Sequence, residues 1–257
     1  MLKVHKVRFS NKEGHDLSAR ITLPDKTGPF VFAIIAHCFT CNKDFNCVRN
    51  ISKSLALAGF GILSLDYTGL GKSDGNFSES NFSTNVNDLL SAAVYLLENY
   101  TSPALIIGHS FGGPAAIYAA SQIPSIKAVV TIAAPSEVDH VTHLIKDKIE
   151  EINAHGEAAV SVGGNRVMIE KQFLDDIARH NLPDAIKELG KAILIMHSPH
   201  DSTVSISNAE QIYTAAKHPK SFVSLDNADH LLSSKKDACY TGDLIAVWAR
   251  RYINPGL

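Results

Sequence analysis

The stretch ALIIGHSFGGPA, residues 104–115, decides the reading of the whole chain. Its first five residues are a short continuous apolar run, as expected of a strand buried on both faces. Its last residues open an alanine-rich helix. Between them Gly108, Ser110 and Gly112 make a G-x-S-x-G pattern. A strand-to-helix turn tight enough to expose a serine at its apex leaves no room for side chains two places to either side, so both flanking positions need glycine. Ser110 is therefore the candidate nucleophile; the competing reading is a serine that serves only turn geometry. Pro114 fits the first turn of the helix, where a missing amide proton costs little, and the helix N-terminus favours developing negative charge nearby.

Working outward, similar apolar runs recur at VFAIIA (31–36), FGILSL (60–65), AVVTIA (128–133), AILIMH (192–197) and SFVSL (221–225). Helical periodicity fills the intervals. Val48, Ile51, Leu55 and Ala58 share one face, with Gly59 as a stop; Val86, Leu89, Leu90, Ala93 and Leu97 mark another. Strands alternating with helices imply an α/β fold with a mostly parallel central sheet covered on both faces. In such sheets ligands sit beyond the carboxyl ends of the strands. Lys3–Arg8 and Leu17–Leu23 alternate instead, with turn-forming residues between, and read as an antiparallel hairpin at the sheet edge. The rhythm breaks over residues 136–190, which hold helix-like segments and a hairpin, AAVSVGGNRVMI, turning at Gly163-Gly164-Asn165. That length suits a small cap over the site, the alternative being a purely structural insertion. The 257 residues, 45% of them hydrophobic, are expected to form a single domain.

A serine hydroxyl needs a base within hydrogen-bond reach, itself held in the right tautomer by a carboxylate. With the order serine, acid, histidine, the loop after AILIMH offers Asp201 and the loop after SFVSL offers His230. Asp229 is the rival acid, although its place suits shaping the histidine loop. His197 and His200 crowd the acid's loop, and His109, beside the nucleophile, reads as a structural side chain. An oxyanion hole needs two backbone donors, one from the residue after the serine and one from the loop after an early strand. Phe111 supplies the first and Phe39 the second, with Thr40 as the alternative. Activity is expected to rise as His230 loses its proton.

These residues resemble the α/β-hydrolase family across essentially the whole chain. His37-Cys38-Phe39 is similar to its oxyanion loop and residues 66–73, DYTGLGKS, to its D-x-R-G-x-G-x-S segment, with Cys38 in place of the usual glycine and Thr68 in place of arginine. Both departures, with QFLDD (172–176) and HPKSFVSL (218–225), resemble a narrower group of bacterial hydrolases often fused to an OsmC-like domain. The resemblance implies a serine esterase (carboxylesterase) acting on small or short-acyl esters, with an OsmC-like domain, fused or separate, as a partner. Haloalkane dehalogenases and dienelactone hydrolases are disfavoured, because those relatives carry Asp or Cys at the elbow. Thioester hydrolysis by the same triad and a catalytically silent binding module are the other readings.

The bulk numbers exclude further classes. Lys and Arg number 24 against 26 Asp and Glu, so no electrostatic footprint for nucleic acid or an anionic membrane is present. No apolar run approaches the roughly 18–20 residues of a membrane span, and the N-terminus lacks a signal-peptide core, which points to a cytoplasmic protein. Four cysteines, three of them between Cys38 and Cys47, are too few for a secreted disulfide framework. Reduced thiols are expected, with a redox role for Cys38-x-x-Cys41 or zinc on Cys47 and His37 as lesser readings. No metal or organic cofactor is implied, and nothing in the sequence sets an oligomeric state.

Overall fold

The structure, a computed structural model, describes residues 2–25 and 30–253. Six of the eight strands of the sheet are parallel: β3 (Val31–Ala36), β4 (Phe60–Leu65), β5 (Pro103–His109), β6 (Ala128–Ile132), β9 (Ala192–His197) and, at the far edge, β10 (Lys220–Ser224). β1 (Lys3–Ser10) and β2 (Asp16–Leu23) form the antiparallel edge, and the order is β1-β2-β4-β3-β5-β6-β9-β10. From β3 the chain steps outward to β4, then returns to β5 on the other side. The order therefore reverses between β3 and β5, and at such a switch point the loops diverge to leave a crevice. The loop after β3 and the turn containing Ser110 flank that crevice.

The continuous apolar runs of β3, β4, β5, β6 and β9 follow from burial on both faces, but SFVSL, expected to behave alike, falls in the edge strand β10, where one side lacks a neighbour and Phe222 is 43% exposed. In β3, Phe32, Ile34 and Ala36 enter one core while Ala33 and Ile35 enter the other; in β9, Ile193 and Ile195 alternate in the same way with Leu194 and Met196. The first core is closed by α2 (Phe82–Asn99), α3 (Gly112–Gln122), α6 (Leu182–Glu188) and α7 (Ser207–Ala215). The second is closed by α1 (Asn46–Leu57) and α8 (Lys235–Ile253). Each fully buried Leu or Ile contributes roughly 1.5–3 kcal/mol, so the double-sided centre dominates the stability. Along α2 the buried face runs Phe82, Val86, Leu89, Ala93 and Leu96. Leu97, expected on that face, is 61% exposed: it falls one position past the helical repeat. No helix among the described residues is long and apolar enough to cross a membrane.

Between β6 and β9 the chain leaves the sheet. It runs through 3-10 turns (Val138–Leu144, Lys146–Lys148), α4 (Ile149–His155), the hairpin of β7 (Glu157–Val162) and β8 (Asn165–Glu170), and α5 (Lys171–Ile177) before α6. Val138, Val141, Ile152, Val160, Ile169, Phe173 and Ile177 join the first core, which anchors this insertion to the body.

The loop after β4 is fixed by two buried carboxylates. Asp66 pairs with Lys43 and accepts the backbone N–H of Lys43 at 2.7 Å and of Lys72 at 2.9 Å. Asp88 of α2 accepts the Thr68 N–H at 2.7 Å, the Thr68 hydroxyl and the Asn11 side-chain amide. Burial pushes the Asp88 carboxyl up to about 6, against the lowering effect of those hydrogen bonds. The unfolded chain sheds this proton near 3.8, the folded chain near 6. The contribution of Asp88 is therefore full below the first value and is lost as pH rises through the second. Chemical denaturation of wild type and Asp88→Asn should show the wild type alone losing this increment between about pH 4 and pH 6; parallel pH profiles would contradict the assignment.

Candidate active site

β5 ends at His109 and α3 begins at Gly112, so Ser110 lies at the apex of the turn with φ 53°. A left-handed serine costs on the order of 1–3 kcal/mol and persists only where its surroundings over-determine it. Here the Ser110 N–H donates to the Ile132 carbonyl and the Ser110 carbonyl accepts from Gly113, both at 2.8 Å. A Cβ on Gly108 would collide with the Gly112 carbonyl, and one on Gly112 with the carbonyls of Ala36 and His37. The two glycines are required by these contacts.

The loops after β9 and β10 bring Asp201 and His230 to the same rim. His230 Nε2 lies 3.0 Å from Ser110 Oγ, and His230 Nδ1 lies 2.8 Å from Asp201 Oδ2. Asp201 Oδ1 accepts the backbone N–H groups of Thr203 and Val204, each at 2.9 Å. Burial pushes the Asp201 carboxyl up, but the hydrogen bonds from His230, Val204 and Thr203 outweigh it and hold the group below its usual range. An ionised Asp201 accepts from Nδ1–H and leaves the Nε2 lone pair facing the serine. Asp229, the rival acid, turns instead to accept the Ser233 N–H at 2.7 Å.

Two buried histidines steady this arrangement. His109 Nε2 donates to the His230 carbonyl at 2.7 Å, and burial pushes its imidazole down to about 4. His197 Nε2 donates to the Val204 carbonyl at 2.9 Å and is likewise shifted down by burial. Both are neutral donors to main chain, so they fix the loops without adding charge beside Ser110. Sequence reasoning placed His109 and His197 near the site but gave neither a partner, because the carbonyls they reach belong to other loops.

The loop after β3 approaches from the opposite side. Among the described residues, the amides of Phe39 and Phe111 have no protein acceptor. Their rings pack edge to face at 5.4 Å, and the Phe39 ring also meets Phe77 and Phe173. Thr40 has φ 57°, and its carbonyl accepts from Asn165 of the β7–β8 hairpin at 3.2 Å. Cys38 and Cys41 are joined by a disulfide, contrary to the reduced thiols expected from the sequence. The turn brings their Cα atoms to 5.3 Å, within bonding range. Cys47, buried on α1, remains a free thiol, with burial pushing it up to about 12.

Ser110 and His230 open onto a cavity of about 430 Å³. Phe39, Phe45, Phe111, Val204 and Leu231 line its body side, and Val141, Leu144 and Val162 of the insertion its outer side, with His140, His143 and Asn165 as polar points. The insertion residues were missed in the sequence because their register, not their composition, faces them inward.

The family model described as "Serine aminopeptidase, S33" matches residues 33–154, which include Ser110 but neither Asp201 nor His230. The esterase domain of a Rhodothermus marinus protein is 42% identical, over 98% of this chain and 100% of that one, with a TM-score of 0.81. The chain belongs to the α/β-hydrolase family of serine hydrolases. The hydrolase is also 26% identical, over 199 residues and 73% of its own chain, to the mitochondrial palmitoyl-protein thioesterase ABHD10 of Rattus norvegicus; the match spans 66% of that relative's length. Mouse ABHD10 shares the hydrolase's fold, with a TM-score of 0.79 at 19% identity over 96% of this chain and 99% of that one.

If Asp201 sets the tautomer of His230, Asp201→Asn should lower kcat by roughly 10³- to 10⁴-fold while leaving KM and the folded structure largely unchanged. Steady-state kinetics with circular dichroism as a folding control checks this; a loss below tenfold would remove Asp201 from the site.

Proposed function

We propose that this hydrolase is a carboxylesterase that cleaves small or short-acyl esters through an acyl-enzyme. The observation that carries the reading is the hydrogen-bonded series from Asp201 through His230 to Ser110 at the mouth of an apolar cavity. Ser110 Oγ attacks the ester carbonyl as His230 Nε2 takes its proton. The imidazolium so formed is stabilised by the ionised Asp201. The amides of Phe39 and Phe111 receive the charge that develops on the carbonyl oxygen; such donors, preorganised on rigid backbone, cost no reorganisation during the reaction. His230 then gives its proton to the departing alcohol, and water repeats the sequence on the acyl-enzyme.

The acyl side is read as short from the resemblance to bacterial esterases, and residues 136–190 as a cap that excludes water from the cavity. A cytoplasmic site of action belongs to the same reading. A thioester substrate is the second reading, favoured by the similarity to ABHD10. One triad serves both, since the acyl group and its oxyanion are the same.

Hydrolysis of p-nitrophenyl acetate, butyrate, octanoate and palmitate, alongside acyl-CoA of matched length, separates these readings. Wild type should turn over the short oxygen esters fastest, and folded Ser110→Ala should fall by about 10³-fold or more. Preference for acyl-CoA would favour the thioesterase; equal activity in the mutant would reject Ser110 as nucleophile.

A further inference from the structure

The Cys38–Cys41 disulfide lies in the wall of the cavity that Ser110 and His230 open onto. Cys38 is buried and Cys41 partly exposed, and both line the cavity, so Cys41 is the more accessible half of the bridge to a small thiol that enters it. The bridged residues are only three apart in sequence. A crosslink over so short a loop removes little entropy from the unfolded chain, and its effect is on the local backbone.

The Phe39 ring is packed and His37 Nδ1 meets the Cys38 carbonyl at 2.8 Å, but the backbone from Phe39 to Cys41 has few short hydrogen bonds of its own. Inside the bridge lie Phe39, whose amide faces no protein acceptor, and Thr40, a β-branched residue at φ 57°, a conformation such residues rarely take. Besides the bridge, the turn is closed by Cys41 N–H donating to the Cys38 carbonyl at 3.2 Å. Two contacts tie it to the cap hairpin: Asn165 Nδ2 to the Thr40 carbonyl at 3.2 Å and Thr40 Oγ1 to the Val162 carbonyl at 3.4 Å. All three are at the long end of the hydrogen-bond range. Without the bridge, Thr40 is able to relax to negative φ, which rotates the Phe39–Thr40 and Thr40–Cys41 peptide planes, and the preceding Cys38–Phe39 peptide, which carries the Phe39 N–H, loses the crosslink that pins Cys38.

We infer that the Cys38–Cys41 disulfide is a thiol-exchange site whose reduction lowers the hydrolytic rate by releasing the loop that carries the Phe39 amide. The partner is a low-molecular-weight thiol or dithiol. Its thiolate attacks the Cys41 sulfur, the bond between the two cysteine sulfurs breaks, and Cys38 leaves as a thiolate that takes up a proton. A second thiol attacks the mixed disulfide and releases Cys41, also protonated, together with the oxidised reductant. Two thiols thus lose two electrons and two protons, which the cysteine pair gains. The effect on rate rests on the esterase reading above; the exchange itself does not.

The test uses the whole chain, reduced with dithiothreitol and desalted without air, beside the untreated and the reoxidised protein. Denatured thiol titre should rise from two, Cys47 and Cys239, to four on reduction. With p-nitrophenyl butyrate, kcat should fall by about tenfold or more, short of the roughly 100- to 1000-fold that complete loss of an oxyanion donor gives, and should return on reoxidation, with KM changed far less. The Cys38→Ala/Cys41→Ala variant, checked by circular dichroism, should stay at the reduced level and ignore dithiothreitol. A titre that stays at two under native reduction overturns the exchange site, and a titre of four with unchanged kcat overturns its control of the loop. If the untreated protein cleaves no ester and takes up no fluorophosphonate, the esterase reading has failed, and the titre still decides the exchange site.

Discussion

Gly112 lies against the carbonyl oxygens of Ala36 and His37, leaving no space for a Cβ. That contact sets how close the turn after β5 comes to the loop after β3, and the rest of the site depends on it. Ser110 and the Phe111 amide sit on one side of the approach, and the Phe39 amide on the other. The switch in strand order between β3 and β5 makes the two loops neighbours, and the edge-to-face packing of Phe39 on Phe111 keeps them in register. A reaction whose charge develops between two backbone amides needs this rigidity, because donors that must move into place during the reaction lose most of their advantage.

Charge around Ser110 is managed by burial. His109 and His197 are held neutral and spend their donors on the main chain of the His230 and Asp201 loops. Asp201 is kept ionised by His230 and two backbone amides despite its burial. Farther out, Asp66 and Asp88 fix the loop after β4 by opposite means, the first paired with Lys43, the second pushed towards its neutral form. Thr68, where the family pattern has arginine, supplies Asp88 with a hydroxyl and an amide instead of a cation.

The parts of this arrangement visible in the sequence were those governed by local chemistry. Gly108 and Gly112 announce the elbow, and the unbroken apolar runs announce the strands buried on both faces, except SFVSL, which falls in the half-exposed edge strand β10. Asp201 and His230 stand out by their places after such runs. What stayed hidden depends on contacts between distant segments: the carbonyls that His109 and His197 reach, the clasp of Asn165 on Thr40, and the residues of the insertion that face the cavity. The bond between Cys38 and Cys41 was hidden for another reason. Their spacing fits a free pair and a bridged pair equally, and only the turn that places the Cα atoms 5.3 Å apart separates the two. Leu97 shows the limit of periodicity, since one position along α2 moves a side chain from core to surface.

The central claim is that Ser110 carries the acyl group between the two half-reactions. It is tested most directly by quenching the enzyme in acid during turnover of p-nitrophenyl butyrate and mapping the adduct by peptide mass spectrometry. The account predicts one butyryl group on the peptide containing Ser110, on the serine itself, disappearing as substrate is exhausted. An acyl group on another residue, or turnover of the ester with Ser110 unmodified at every quench time and no burst of p-nitrophenol, would contradict it.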